Sequence, residues 1–184
     1  MRKILFAISL LGALTLALAV SAAAPANFAG TWNLDKAKSQ GLSPRLQGAD
    51  SVSWIITQTD KQISIETKIT GGQPPAGAPP AGAPTGGGSG RGAGMGGPQT
   101  YNLDGSETNS ENGAAKTTRK ATWSGDGKTL ELSAKTTFTG QDGTERTSTS
   151  TDKLQLSGDG KVLTINRHSE GGRGPQDSTL VFNK

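Results

Sequence analysis

The sequence contains no cysteine, which excludes disulfides, thiolate metal sites and a lipid-modified N-terminal cysteine. Whatever stability the chain has must come from its core. Histidine is nearly absent too. His168 stands alone, so a His-rich metal site is impossible and Ser–His or Cys–His arrangements have few candidates. A Ser-His-Asp set using His168 and Asp177 has no nucleophile-elbow motif to support it. Carboxylate pairs such as Asp104 with Glu107 fall at turns and read as solvated surface. The chain therefore reads as a non-enzyme, and it carries no cofactor motif.

A convincing helical period is missing everywhere, and past residue 20 no run is apolar enough to span a bilayer. Clustered positive charge is missing as well. The pI of about 9.5 arises from scattered basic residues, so neither nucleic acid nor an anionic membrane is implied as a partner.

What is present begins with a targeting signature. Arg2 and Lys3 precede an apolar run over 4–20, and Ser21, Ala22, Ala23 and Ala24 follow as small residues. That is the layout of a secretory signal peptide over 1–23, cleaved after Ala22 or Ala23. The rival reading is an uncleaved anchor, against which the 17-residue length of the run argues. Cleavage leaves 17 basic against 15 acidic residues, a net charge of +2. The short basic start points to a bacterial periplasmic or secreted protein.

Residues 71–98, GGQPPAGAPPAGAPTGGGSGRGAGMGGP, are almost wholly Gly, Pro and Ala. Such a stretch buries too little apolar area to offset the entropy of ordering, so it reads as a disordered insertion. It is a tolerated surface loop or, more sharply, a tether or matrix-binding arm. Without it and the signal, about 130 residues remain, which is one domain over 24–184.

That domain reads as β-structure. Val52, Trp54 and Ile56 alternate with polar neighbours, as do Ile63, Ile65 and Ile69, and Leu130, Leu132, Ala134 and Phe138. Period two means half-buried strands. Asp104-Gly105, Asn112-Gly113, Asp126-Gly127, Asp142-Gly143 and Asp159-Gly160 mark tight turns between them. SGDGKT at 124–129 ends like a phosphate-binding P-loop, and SGDGK recurs at 157–161. However, Thr122 stands where a P-loop needs its first glycine, and a strand follows where it needs a helix. The repeated segment turns a corner.

The expected strands are 27–34, 51–58, 61–69, 99–103, 106–111, 114–123, 128–139, 144–156, 161–169 and 176–183. They predict an all-β, antiparallel up-and-down meander barrel of about 8–10 strands, with the first and last strands paired. A β-sandwich is the alternative. Short turns gather at one end of such a barrel. The 35–50 connection and the insertion gather at the other, which reads as a mouth.

Strand parity places Trp123, Leu130, Leu132, Leu154, Leu156, Leu163 and Ile165 inward near the short turns. Toward the mouth the same parity gives Thr117, Arg119, Thr144, Arg146, Ser148, Ser150 and Arg167. Arg119, Arg146 and Arg167 together suit a carboxylate, phosphate or sulfate head group, since guanidinium forks match such oxygens. An apolar tail would then lie over Trp54, Trp123 and the isoleucines. A bulge would reverse this parity, and the alternative is that the arginines are solvated or pair with Glu145, Asp142 or Glu170. Plain core is the alternative role of the tryptophans.

Phe28-Ala29-Gly30-Thr31-Trp32-Asn33-Leu34 resembles the first strand of the calycin barrels. It contains the G-x-W of lipocalins and, more fully, the F-x-G-T-W-x-L opening of intracellular fatty-acid-binding proteins. The chain also resembles a class of small exported bacterial lipocalin-like proteins. These open with G-T-W-x-L-(D/N)-x-(A)-K-S, as at 30–39, and close with a D-G-K-x-L-T-I hairpin, as at 159–165. The resemblance implies a barrel that carries a hydrophobic ligand. Gly41, Pro44 and Gly48 argue against a two-helix lid, and no Arg-x-Tyr pair closes the chain, so no carboxylate clamp is carried over. Two functions follow: a barrel binding a small amphipathic or apolar molecule, or a filled barrel acting as an envelope structural or interaction module.

Overall fold

The computed structural model describes residues 24–71, 97–140, 143–172 and 174–184. The expected signal segment 1–23 lies outside the described residues, as does most of the 71–98 insertion and Asp142 of its turn.

Ten strands run in chain order: β1 (Gly30–Leu34), β2 (Ser51–Gln58), β3 (Gln62–Thr70), β4 (Gln99–Asn102), β5 (Thr108–Asn112), β6 (Ala115–Trp123), β7 (Thr129–Thr139), β8 (Glu145–Leu156), β9 (Val162–Glu170) and β10 (Gln176–Asn183). They form one antiparallel sheet in the order β4-β3-β2-β1-β10-β9-β8-β7-β6-β5. Consecutive strands pair, and β1 pairs with β10, as an up-and-down barrel requires. A sandwich is thereby ruled out among the described residues. The barrel is nearly closed, and its gap falls between β4 and β5, which share no ladder.

Each ladder keeps a constant register, with no bulge in any of the nine pairs. Parity therefore carries unbroken from one end of the barrel to the other. The inward positions at the short-turn end are sealed: Leu130, Leu154, Leu163 and Ile165 are each 0% exposed, around Trp32, Ile63 and Phe182.

The two SGDGK segments build the same turn. Ser124 and Ser157 each donate their hydroxyl to the aspartate two residues on, at 2.6 Å. The same carboxylate oxygens accept from the backbone of Lys128 and Lys161 at 3.1 Å. Gly127 and Gly160 both sit at φ +67°, a left-handed conformation that glycine adopts without cost. Each turn joins two strands, so neither cradles a phosphate at a helix start.

The first strand is shorter than its alternation suggested. It begins at Gly30, and residues 24–29 cross the end of the barrel instead. Ala26 N donates to Gly127 O at 2.9 Å and Phe28 N to Gln58 Oε1 at 2.9 Å. Phe28 is fully buried and stacks on Trp123 with ring centroids 6.0 Å apart. This segment is the floor of the barrel.

The opposite end is covered by the 35–50 connection. Its first part adds to β10: Gln40 and Thr179 exchange backbone hydrogen bonds of 2.8 and 3.0 Å. Gly41 then lies so close to β10 that a Cβ would fall 2.4 Å from Asp177 O. A single five-residue helix, α1 (Pro44–Gly48), follows, which no helical period in the sequence announces. One turn is too short for a period. It is started by the Ser43 side chain and by Pro44 in the first turn. Leu42 and Leu46 pack against the core from this lid.

Candidate functional site

Going up β8 from the floor, the inward positions change from sealed to open. Leu154 is fully buried, Asp152 is 9% exposed, Ser150 is half-buried, and Ser148 and Arg146 are exposed. The inward residues of the upper half include Thr67 and Ile69 of β3, Thr117 of β6, Thr136 and Phe138 of β7 and Ser169 of β9. All of them are only partly buried. The inward face of the upper barrel, termed the cup below, is thus partly open above a solid lower half.

A charged layer forms the bottom of that cup. Asp152 and Arg167 are direct cross-strand partners of β8 and β9. Arg167 donates from Nε to Asp152 Oδ1 at 2.6 Å and from Nη2 to Oδ2 at 2.7 Å. This parallel fork is the strongest geometry available to the two groups. The Arg167 guanidinium also lies over Trp54, 5.7 Å from the ring centroid, and Trp54 packs on Phe182. Burial works against the charge on Arg167, but the hydrogen bond and charge of Asp152 outweigh it and raise its pKa above the ordinary arginine value.

Tyr101 of β4 and Arg119 of β6 stand on either side of the gap between β4 and β5. Burial, and next the Asp152 charge, push the Tyr101 hydroxyl up to about 12, with Arg119 and Arg167 pulling the other way. Tyr101 is therefore a neutral hydrogen-bonding group at any physiological pH. It donates to Gln99 Oε1 at 3.3 Å.

Arg119 differs from Arg167 in having no acid. It donates from Nη1 to Ser110 Oγ at 2.7 Å. Its Nε is buried without a hydrogen-bond partner, and so is Oγ1 of Thr108, its direct neighbour on β5. Two orphaned buried polar atoms on directly paired residues are unusual, because each loses its hydration without replacement.

Of the five residues singled out from sequence, the structure brings Arg119, Arg167 and Trp54 into one layer. Arg146 lies on the same inward parity but is exposed at the rim, beside Phe138 on the neighbouring strand. Trp123 is elsewhere, in the floor against Phe28. Asp152 was missed. It sits on the inward parity between Leu154 and Ser150, and its pairing with Arg167 follows from the turn at 157–161. Neither Glu145 nor Glu170 pairs with an arginine among the described residues.

His168 faces outward. Its Nδ1 lies 2.6 Å from Asp177 and its Nε2 3.4 Å from Glu170, so both ring nitrogens meet carboxylates rather than a hydroxyl nucleophile. An open cleft of about 510 Å³ adjoins it on the outer surface, between Gln40–Gly41 and strands β8 to β10. Arg167 of the charged layer also lines this cleft. No group of three or more metal-ligating side chains occurs among the described residues.

No protein-family model matches the chain, and no curated protein matches it either. Among solved structures, zebrafish ileal bile acid-binding protein complexed with cholic acid is similar at 14% identity and a TM-score of 0.45. The match covers 85% of this chain and 98% of that one. Likeness at this level carries nothing over about a ligand.

Proposed function

We propose that the protein is a non-catalytic barrel that binds one small amphipathic molecule in its upper cup, acidic head inward. The observation that carries this reading is the orphaned Arg119 Nε beside Thr108, at the bottom of a cup whose upper wall is half-open. An acidic head group there would accept from Arg119, and Tyr101 would stand close by as a neutral donor. The tail would run toward the mouth past Ile69, Phe138 and Val52, with Leu42 and Leu46 of the lid above it. It would not reach Trp123, because the charged layer and the sealed core lie between. We also propose export to a bacterial periplasm or medium, on the strength of Arg2, Lys3 and the apolar run that follows. N-terminal sequencing of the fractionated protein tests that separately.

A filled barrel acting through its surface is the second reading, and the sealed lower half favours it. Native mass spectrometry before and after organic extraction separates the two. A discrete added mass, removed by extraction and restored by dodecanoate, supports the carrier. A folded protein that stays bare when dodecanoate and other amphiphiles are supplied overturns it.

A further inference from the structure

Two arginines and one aspartate share the bottom of the cup, and their charges do not contribute equally. Arg167 is neutralised by a two-point fork to Asp152, at 2.6 and 2.7 Å. Arg119 has no carboxylate partner. The layer as a whole carries one uncompensated positive charge, since Tyr101 is neutral and Arg146 stands exposed at the rim.

We propose that Asp152 is the specificity-determining residue of the cup: by cancelling Arg167 it restricts the head group to a single negative charge. The inference rests on the cup being the binding site. A carboxylate or a sulfate ester brings one charge, which Arg119 balances. A phosphate monoester brings up to two near neutral pH. Its second charge would enter a partly desolvated layer with no further uncompensated cation to meet it, and with the Asp152 carboxylate already in that layer. The aspartate therefore acts less as a ligand contact than as a filter. It also fixes the guanidinium plane of Arg167 over Trp54, so that the floor keeps its shape when the cup is empty.

The charge count makes the test quantitative. Dodecanoate, dodecyl sulfate and dodecyl phosphate would be titrated below their micelle concentrations at pH 8, following tryptophan fluorescence. The wild-type protein should bind the two monoanions about tenfold more tightly than the phosphate. Asp152→Asn leaves two uncompensated cations, and the phosphate should gain about tenfold relative to dodecanoate. Arg167→Gln removes the charge from the other side and should weaken both monoanions about tenfold, although Arg119 is intact. The Asp152→Asn/Arg167→Gln double variant restores a single charge and should return to the wild-type preference. That variant and Arg167→Gln keep the test decisive if Asp152→Asn alone does not fold, which circular dichroism would report. An unchanged preference in the folded single variants, or a double variant that does not recover it, overturns the role of Asp152. Failure of the wild type to bind any of the three overturns the cup as a site, and the filter with it.

Discussion

Asp152 and Arg167 meet across the β8–β9 ladder, one lying seven residues before Asp159 and the other seven after Gly160. The turn that joins the strands thus places the two charges opposite each other inside the barrel. Removing one partner leaves the other poorly solvated, which is costly where exchanging both is not. Arg167 keeps 29% side-chain exposure, so the cost is below that of a fully buried pair. Asp152→Ala should lower stability by about 2–3 kcal/mol, and Asp152→Ala/Arg167→Met by clearly less. Urea denaturation of the three proteins measures the difference.

Arg119 should behave in the opposite way. Its Nε has no hydrogen-bond partner in the empty protein, so Arg119→Gln should cost little beyond the Ser110 hydrogen bond, about 1 kcal/mol. The same variant should weaken dodecanoate binding about tenfold or more, the worth of a charged hydrogen bond. Arg146→Gln, at the exposed rim, should weaken it by less than about threefold. Isothermal titration of the two variants side by side checks the contrast.

The floor is a matter of stability alone. Phe28 is fully buried and stacks on Trp123, and its backbone nitrogen is tied to Gln58. Phe28→Ala should cost about 3–4 kcal/mol by leaving a cavity between the N-terminal segment and β6. At denaturant-free conditions its dodecanoate affinity should match that of the wild type. Loss of affinity in a folded Phe28→Ala protein would place the ligand at the floor.

His168 provides a pH-dependent signal remote from the cup. The hydrogen bond to Asp177, then that to Glu170, raises its pKa above the usual histidine value. Because the folded value exceeds the unfolded one, the stabilisation is complete below about pH 6.5 and fades as pH rises through the folded value. Asp177→Asn should lower the pKa read from the imidazole resonances in an NMR titration. With the ring outside the barrel, ligand affinity should not follow that titration.

Much of this architecture is legible in the letters. Val52-Trp54-Ile56 and Leu130-Leu132 announce their strands by period two, and the paired SGDGK turns fix where β6–β7 and β8–β9 reverse. Since no bulge intervenes, the inward parity of Arg119, Arg146 and Arg167 also follows from sequence. Three features do not. Residues 27–29 alternate like a strand, but alternation cannot distinguish a paired segment from one laid across the barrel end. The α1 turn is shorter than any helical period, and only Ser43-Pro44 hints at it. Asp152 interrupts an apolar-to-polar gradient, and Glu145, Asp142 and Glu170 nearer the mouth are equally plausible partners by sequence. Its signal in the sequence is its equal distance with Arg167 from the Asp159-Gly160 turn.

The central claim is tested most simply by an amide NMR titration of the protein with dodecanoate. The account predicts saturable shifts around Arg119, Tyr101, Ile69 and Phe138, a new resonance position for the Arg119 Nε–H, and little change at Leu154 or Leu163. Shifts confined to the outer cleft around Asn166 and His168, or no saturable shift at all, would contradict it.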